Sequence, residues 1–265
     1  MSCSIRHCPF FDSDHIFMRI VQPPQKEEIS PCPYLPGRRK SYEFFFADKV
    51  DAAELSGLLG VGWRKFGRFY FRPKCPDCRC CIPLRVRVAE FSPSRGQRRV
   101  LRKNSGLRTS FGPLRATPRI FEIYREHSQE RFSQEANIEE FLCNFYLPSC
   151  PSLQSEIHLG DQLLAAGYLD QGEDCLSSVY FSFDPGFSAM NLGTFSILKE
   201  IAFAASLGFS YYYLGYYVPG CPNMGYKDHF LPREHYDWER KVWRPVSEPP
   251  EGSGRVLSPQ PSFPG

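Results

Sequence analysis

No stretch of this chain is long and apolar enough to read as a bilayer-crossing helix. Its most hydrophobic run, residues 197–207, is short and broken by Lys199 and Glu200. The first ten residues lack an apolar centre, so they do not read as a secretory leader. A large net charge is missing too. The 32 Lys and Arg against 29 Asp and Glu leave +3, which excludes a general polyanion binder. Any nucleic-acid contact must come from a local patch. There is no internal repeat. The expected compartment is therefore cytoplasmic and reducing, where eleven cysteines argue against a disulfide framework and for metal, redox or core roles.

What is present is a 265-residue chain, enough for one large domain or two small ones with a real core. Apolar alternation and aromatic clustering predict strands over residues 41–46, 68–72, 82–91, 162–169, 176–183 and 210–217. Helical spacing predicts helices over 52–59, 120–131, 138–145 and 192–207, the last closed by Gly208. Residues 1–30 are poorly periodic, and Pro23, Pro24 and Pro31 mark a loop there. Strands, then a helix, then another strand suggest an α+β domain with a mixed sheet. The Pro/Gly-rich composition after Pro245 predicts a disordered tail.

Two clusters stand out. Cys75-Pro-Asp-Cys78-Arg-Cys80-Cys81 puts four thiols in one short loop, and a C-x2-C pair can offer two sulfurs to a tetrahedral ion, with Cys32 a candidate from elsewhere. The alternative is a set of reduced cysteines packing a turn. Cys221, after the aromatic strand, is a candidate wall residue of a pocket. The second cluster spans residues 91–121, with eight basic residues and no acid. Arg95, Arg98, Arg99 and Arg102 recur at helical spacing after a candidate N-cap, Ser94, and Lys103 follows. Such a face suits phosphates, which guanidinium forks match bidentately. A solvated charged face is the plainer alternative.

Several segments, in order, then carry a resemblance. They are Cys32-Pro-Tyr34-Leu35-Pro36, and Arg72-Pro73 with Cys75-x2-Cys78-x2-Cys81-Ile-Pro83-x-Arg85-Val86. Phe91-x-Pro93-Ser94-Arg95-x-Gln97-Arg98-Arg99 follows. Further on come Phe183-Asp184-Pro185 and Leu192-Gly193-Thr194-x-Ser196-Ile197-Leu198. The last is Tyr213-Leu214-Gly215-Tyr216-Tyr217-x3-Cys221-x2-Met224-x-Tyr226-Lys227-x2-Phe230-x-Pro232. The series resembles the aminoacyl-tRNA–protein transferases of the N-end rule pathway over about residues 30–243. The short length and the first block are similar to the bacterial branch. Its members move leucine from leucyl-tRNA to proteins beginning with Asp or Glu. Arginyl transfer to the same acceptors is the close alternative. Gly96, Cys80 and Asn191 depart from the usual Ser, small residue and Arg.

The resemblance implies an N-terminal cysteine-containing region over 1–89, a GNAT-like acyltransferase domain over 90–245 and the tail over 246–265. It implies zinc or an iron–sulfur cluster on Cys32, Cys75, Cys78 and Cys81, with no cofactor needed for the chemistry itself. Aminolysis of the tRNA ester needs positioning, a proton acceptor and oxyanion stabilisation. Arg95, Arg98, Arg99, Arg102 and Lys103 are the expected tRNA contacts. Lys227, Arg233 and Tyr226 are expected at the acidic acceptor, with Tyr216, Lys227 and Asp184 at the chemistry, although Asp184, before a proline at a strand end, fits a turn role equally. Tyr213 and Tyr217 are further candidates to line the site, and His229 and His235 are bases by type. Two rival readings are a CoA-dependent acetyltransferase, which lacks its Gly-rich loop here, and a non-catalytic zinc module binding RNA.

Overall fold

A computed structural model describes residues 18–221 and 224–246. In chain order the elements are β1 (Arg19–Lys26), β2 (Ser30–Pro31), β3 (Arg39–Lys40), β4 (Tyr42–Lys49), α1 (Ala52–Gly60), β5 (Arg64–Phe66), β6 (Phe69–Pro73) and β7 (Ile82–Arg87). Then come α2 (Arg95–Lys103), β8 (Arg108–Gly112), α3 (Pro118–Phe132), α4 (Ile138–Phe145), β9 (Ser152–Leu159), β10 (Gln162–Gln171) and β11 (Cys175–Phe183). The chain continues through α5 (Leu192–Ser206), β12 (Tyr211–Tyr217), β13 (Arg233–Asp237) and β14 (Val242–Val246).

The strands form an eight-stranded sheet, β14-β13-β7-β12-β11-β10-β9-β8, and a four-stranded one, β1-β4-β6-β5, with β2 and β3 paired apart. The large sheet is antiparallel except for β11 and β12, which α5 connects. It is thus mixed, as expected. Neighbouring residues of a strand face opposite sides, and β11 shows what covers each side. Tyr180 packs with Ile120, Phe141 and Phe145 of α3 and α4, and Phe181 packs with Leu192 and Phe195 of α5. Tyr213 joins the core of the small sheet, built on Phe45, Leu55, Leu59, Trp63 and Tyr70.

Local chemistry accounts for the helix boundaries. Asp51 and Glu54 close a capping box on α1, and Ser94 and Gln97 do the same on α2. Gly208 follows α5 at φ +75°. Three expectations are corrected. The strand expected over 82–91 ends at Arg87, where a 3-10 turn, Val88–Glu90, takes over. The loop expected around Pro23 and Pro24 is strand β1. It lies at a sheet edge, where a missing N–H breaks no ladder, and its register with β4 is irregular. Pro245 and Val246 pair with Glu234 and Arg233, so β14 takes the first residue of the expected tail. Residues 247–265 lie outside the described residues. The boundary expected at 89/90 falls after β7, which lies inside the large sheet between β13 and β12.

His127 of α3 is buried against Phe183, and burial first, then the charge of Arg131, pulls it down to about 4. A neutral imidazole inside must be charged on unfolding in mild acid. Its contribution is full above the ordinary value of 6.5 and is lost as pH falls toward 4, by about 3 kcal/mol. Urea midpoints measured between pH 7 and 4 should drop for the native protein and flatten in His127→Leu. An unchanged slope refutes the assignment.

Candidate active site

The parallel contact between β11 and β12 runs only from Cys175–Tyr211 to Ser177–Tyr213. Beyond it β11 stays with β10 through Phe183, and β12 stays with β7 through Tyr217. The β12–β7 register slips between Tyr213 and Gly215, and Gly215 has φ +85°, a conformation that suits glycine. The two strands therefore part. A cleft of about 90 Å³, partly open to solvent, fills the gap. Ser178–Phe181 line one wall and Leu214–Tyr216 the other. Gly193, Ser196, Ile197 and Glu200 of α5 contribute, with Arg64 of β5, Tyr34, Cys81, Met224, Tyr226 and Lys227.

Two cations meet in this cleft. A Cβ added to Gly215 would lie 3.3 Å from Lys227 Nζ and 3.6 Å from Arg64 Nη2. Arg64 Nη2 donates to the carbonyl of Ser178. Both side chains are half-buried and line the cleft. Burial, reinforced by the charge of Arg64, brings the Lys227 amine down to about 7. Glu200 is buried too, and desolvation raises it although Ser196 and Tyr212 donate to it. The cleft thus offers an amine that is part neutral near pH 7, a fixed guanidinium and a carboxyl pushed toward its neutral form. Val179, Phe181, Ile197, Leu214 and Met224 add apolar surface among these polar groups.

The expected site residues divide. Lys227, Tyr226 and Tyr216 line the cleft, the Tyr216 hydroxyl donating to the Gly62 carbonyl at 2.8 Å. Arg233 is buried in β13 and grips Asp228 through Nε and Nη2. Tyr213 takes a hydrogen bond from Arg85 in the small-sheet core, and Tyr217 stacks on His235. His229 is exposed. Asp184 is not among the lining residues: it caps the 3-10 turn Pro185–Met190 by accepting from Gly186 N–H and pairs with Arg119 at 2.7 Å. Cys221 packs in an apolar cluster with Val218 and Met224, outside the lining.

Arg95, Arg98, Arg99, Arg102 and Lys103 are all exposed on α2, whose Gln97 faces inward. At its end, Lys103 and Asn104 donate to the carbonyls of Ala189 and Met190, just before α5. This places the basic helix beside the end of α5 that carries Gly193 into the cleft. Asn191, the departure before the Leu-Gly-Thr block, sits at φ +54°, which Asn tolerates better than most side chains.

The thiols of Cys32, Cys75, Cys78, Cys80 and Cys81 come from two loops and act on one another. Burial foremost, then Cys75, Cys32, Cys78 and Cys80, raises the Cys81 thiol. Sulfur ligands suit a soft cation by kind. As placed, no three Cys, His, Asp or Glu among the described residues surround a common point. Cys81 belongs to the cleft wall, and Trp238 Nε1 holds its carbonyl at 2.9 Å.

Arg64 is the residue that sequence reasoning missed. It begins a three-residue strand with no periodicity, and no motif named above contains it.

Residues 30–99 match the family description "Arginine-tRNA-protein transferase, N terminus", and residues 118–237 match its C terminus. The chain is 35% identical to an aspartate/glutamate leucyltransferase of Paracoccus denitrificans over 85% of this chain and 86% of that protein. It is also 35% identical to one of Nitrosococcus oceani, over 86% of this chain and 95% of that one. Among solved structures, L-PGS from Bacillus licheniformis superposes with a TM-score of 0.42 and 11% identity, over 66% of this chain and 52% of that one.

Gly215→Ala should lose about 1–2 kcal/mol from the left-handed backbone alone, read as a lower urea midpoint at unchanged slope. A midpoint within error of the parent would show that the bulge does not need glycine.

Proposed function

The chain belongs to the arginine-tRNA-protein transferase family, and from that membership we propose that it moves leucine from leucyl-tRNA to the α-amine of proteins beginning with Asp or Glu. The near full-length match to relatives so named carries the choice of donor. The cleft supports it physically. An arginyl side chain would bring a third cation beside Arg64 and Lys227, whereas Phe181, Ile197, Leu214 and Met224 favour a leucyl side chain.

The exposed cations of α2 would take phosphates of the tRNA and bring its 3′ end over the start of α5 into the cleft. Parallel strands that part beside a connecting helix support a GNAT-like reading of the C-terminal domain. Aminoacyl-tRNA as donor implies a cytoplasmic site of action.

The acceptor's α-amine has an ordinary pKa of about 7.7–8.0. Lys227 in its neutral form takes a proton from that amine as nitrogen attacks the leucyl carbonyl carbon. The tetrahedral intermediate collapses with cleavage of the C–O ester bond. The ribose oxygen leaves with the proton held by Lys227, and a peptide bond remains. Tyr226 stands at the same wall, and Tyr216 serves by holding β12 against the Gly62 carbonyl. Cys32, Cys75, Cys78 and Cys81 are the proposed holders of zinc or an iron–sulfur cluster. A metal there would cross-link the two loops that shape the cleft wall at Tyr34 and Cys81. Metal analysis of anaerobically purified protein tests this, and a metal-free, fully active preparation refutes it.

A peptide beginning with Glu, offered leucyl-tRNA or arginyl-tRNA, should acquire leucine. Transfer of arginine alone overturns the donor assignment. For Lys227→Met, kcat/KM should fall by roughly 10²–10⁴-fold. In the parent, kcat/KM should rise with pH through about 7 as the amine of Lys227 loses its proton. Because the folded value lies below the ordinary 10.5, the charged amine costs stability at neutral pH, and the cost disappears as pH rises from about 7 to 10.5. Lys227→Met should therefore melt higher than the parent at pH 7 while being inactive; lower melting with activity retained contradicts the base role.

A further inference from the structure

We propose that Arg64 anchors the side-chain carboxylate of the acceptor's first residue. This rests on the transfer reading above and assigns its acidic specificity to one group. Arg64 has a fixed guanidinium. Nη2 donates to the Ser178 carbonyl on β11, so the group is held across the floor of the parted strands. Nη1 is buried with no hydrogen-bond partner among the described residues. The carboxylate that acts on Arg64, Asp170, is engaged by Lys65 Nζ at 3.0 Å. Lys227, the other cation at Gly215, adds repulsion.

A guanidinium stays charged, and a buried charge with a bare N–H is costly until an anion arrives. The anion it matches is planar and two-oxygened, since a guanidinium fork meets a carboxylate bidentately. The backbone phosphates of the donor have the exposed cations of α2, whereas Arg64 lies inside. The acceptor carries two groups that the cleft needs at once. In an N-terminal Asp or Glu the α-amine and the side-chain carboxylate lie roughly 3–5 Å apart. Lys227 Nζ and Arg64 Nη2 both lie within 4 Å of the same point at Gly215. One residue can therefore give its amine to Lys227 and its carboxylate to Arg64. Arg233, the other cation expected at the acceptor, is gripped by Asp228.

The test uses full-length protein, leucyl-tRNA and two peptides that differ only in an N-terminal Glu or Gln. The parent should prefer Glu. In Arg64→Gln this preference should shrink roughly 10–100-fold, the loss of a charge-assisted contact, through a raised KM for the Glu peptide. Arg64→Lys, which keeps the charge but not the fork, should fall between. If Arg64→Gln does not fold, as judged by circular dichroism, Arg64→Lys decides alone, and a parental Glu preference in it overturns the proposal. An equal fall in kcat for both peptides also overturns it, because Arg64 would then serve the oxyanion of the intermediate. A parent that uses Glu and Gln peptides equally overturns it as well. A parent that transfers leucine to neither peptide instead sinks the transfer reading.

Discussion

The contact between β11 and β12 lasts three residues before each strand is claimed by a different antiparallel neighbour. Everything at the site depends on that divergence. A sheet that kept its ladder closed would have no gap for a substrate to enter. The bulge at Gly215 makes the divergence affordable: it turns β12 at a position where a side chain would meet Lys227 and Arg64. The carbonyl of Ser178, just past the last residue of β11 paired with β12, becomes the acceptor that holds Arg64. The same backbone break thus opens the cleft and fixes a charge inside it.

Charge placement follows a division between outside and inside. The cations of α2 are exposed and repeat on one face, which suits a polyanion whose phosphates remain hydrated. Arg64 and Lys227 line the cleft, where burial first and then the charge of Arg64 lower Lys227. The depression of Lys227 is the local cost of this arrangement and also what makes the amine useful near neutral pH. Elsewhere buried charges are matched: Lys65 with Asp170, Arg233 with Asp228, Arg85 with Glu234. Arg64, half-buried in the cleft, has no such ion pair among the described residues, and its proposed partner comes with the substrate.

Several features were legible because they are local. Ser94 and Gln97 sit three apart before a helical run, and α2 begins there with its arginines outward. The 192–207 periodicity ends at Gly208, as the helix nearly does. Asp184 drew attention as an acid before proline in a matched segment, yet its carboxylate is used in a turn and by Arg119. Pro23 and Pro24 read as a loop because the edge position that tolerates them depends on which strand is the neighbour. Arg64 left no mark at all, because its three-residue strand is too short for a period.

The local elements, the thiol cluster, the basic helix and, through the ordered motifs, the family can be read from the chain alone. Those follow from spacing along the chain, which caps, periods and motifs encode directly. Which charges lie inside and which carboxylates are taken depends on packing between distant segments. Arg64 comes from the small sheet, Ser178 from β11 and Lys227 from the segment after β12. Whether an ionisable group is buried, paired or bare depends on what packs around it from distant segments, and no window of neighbouring residues carries that information.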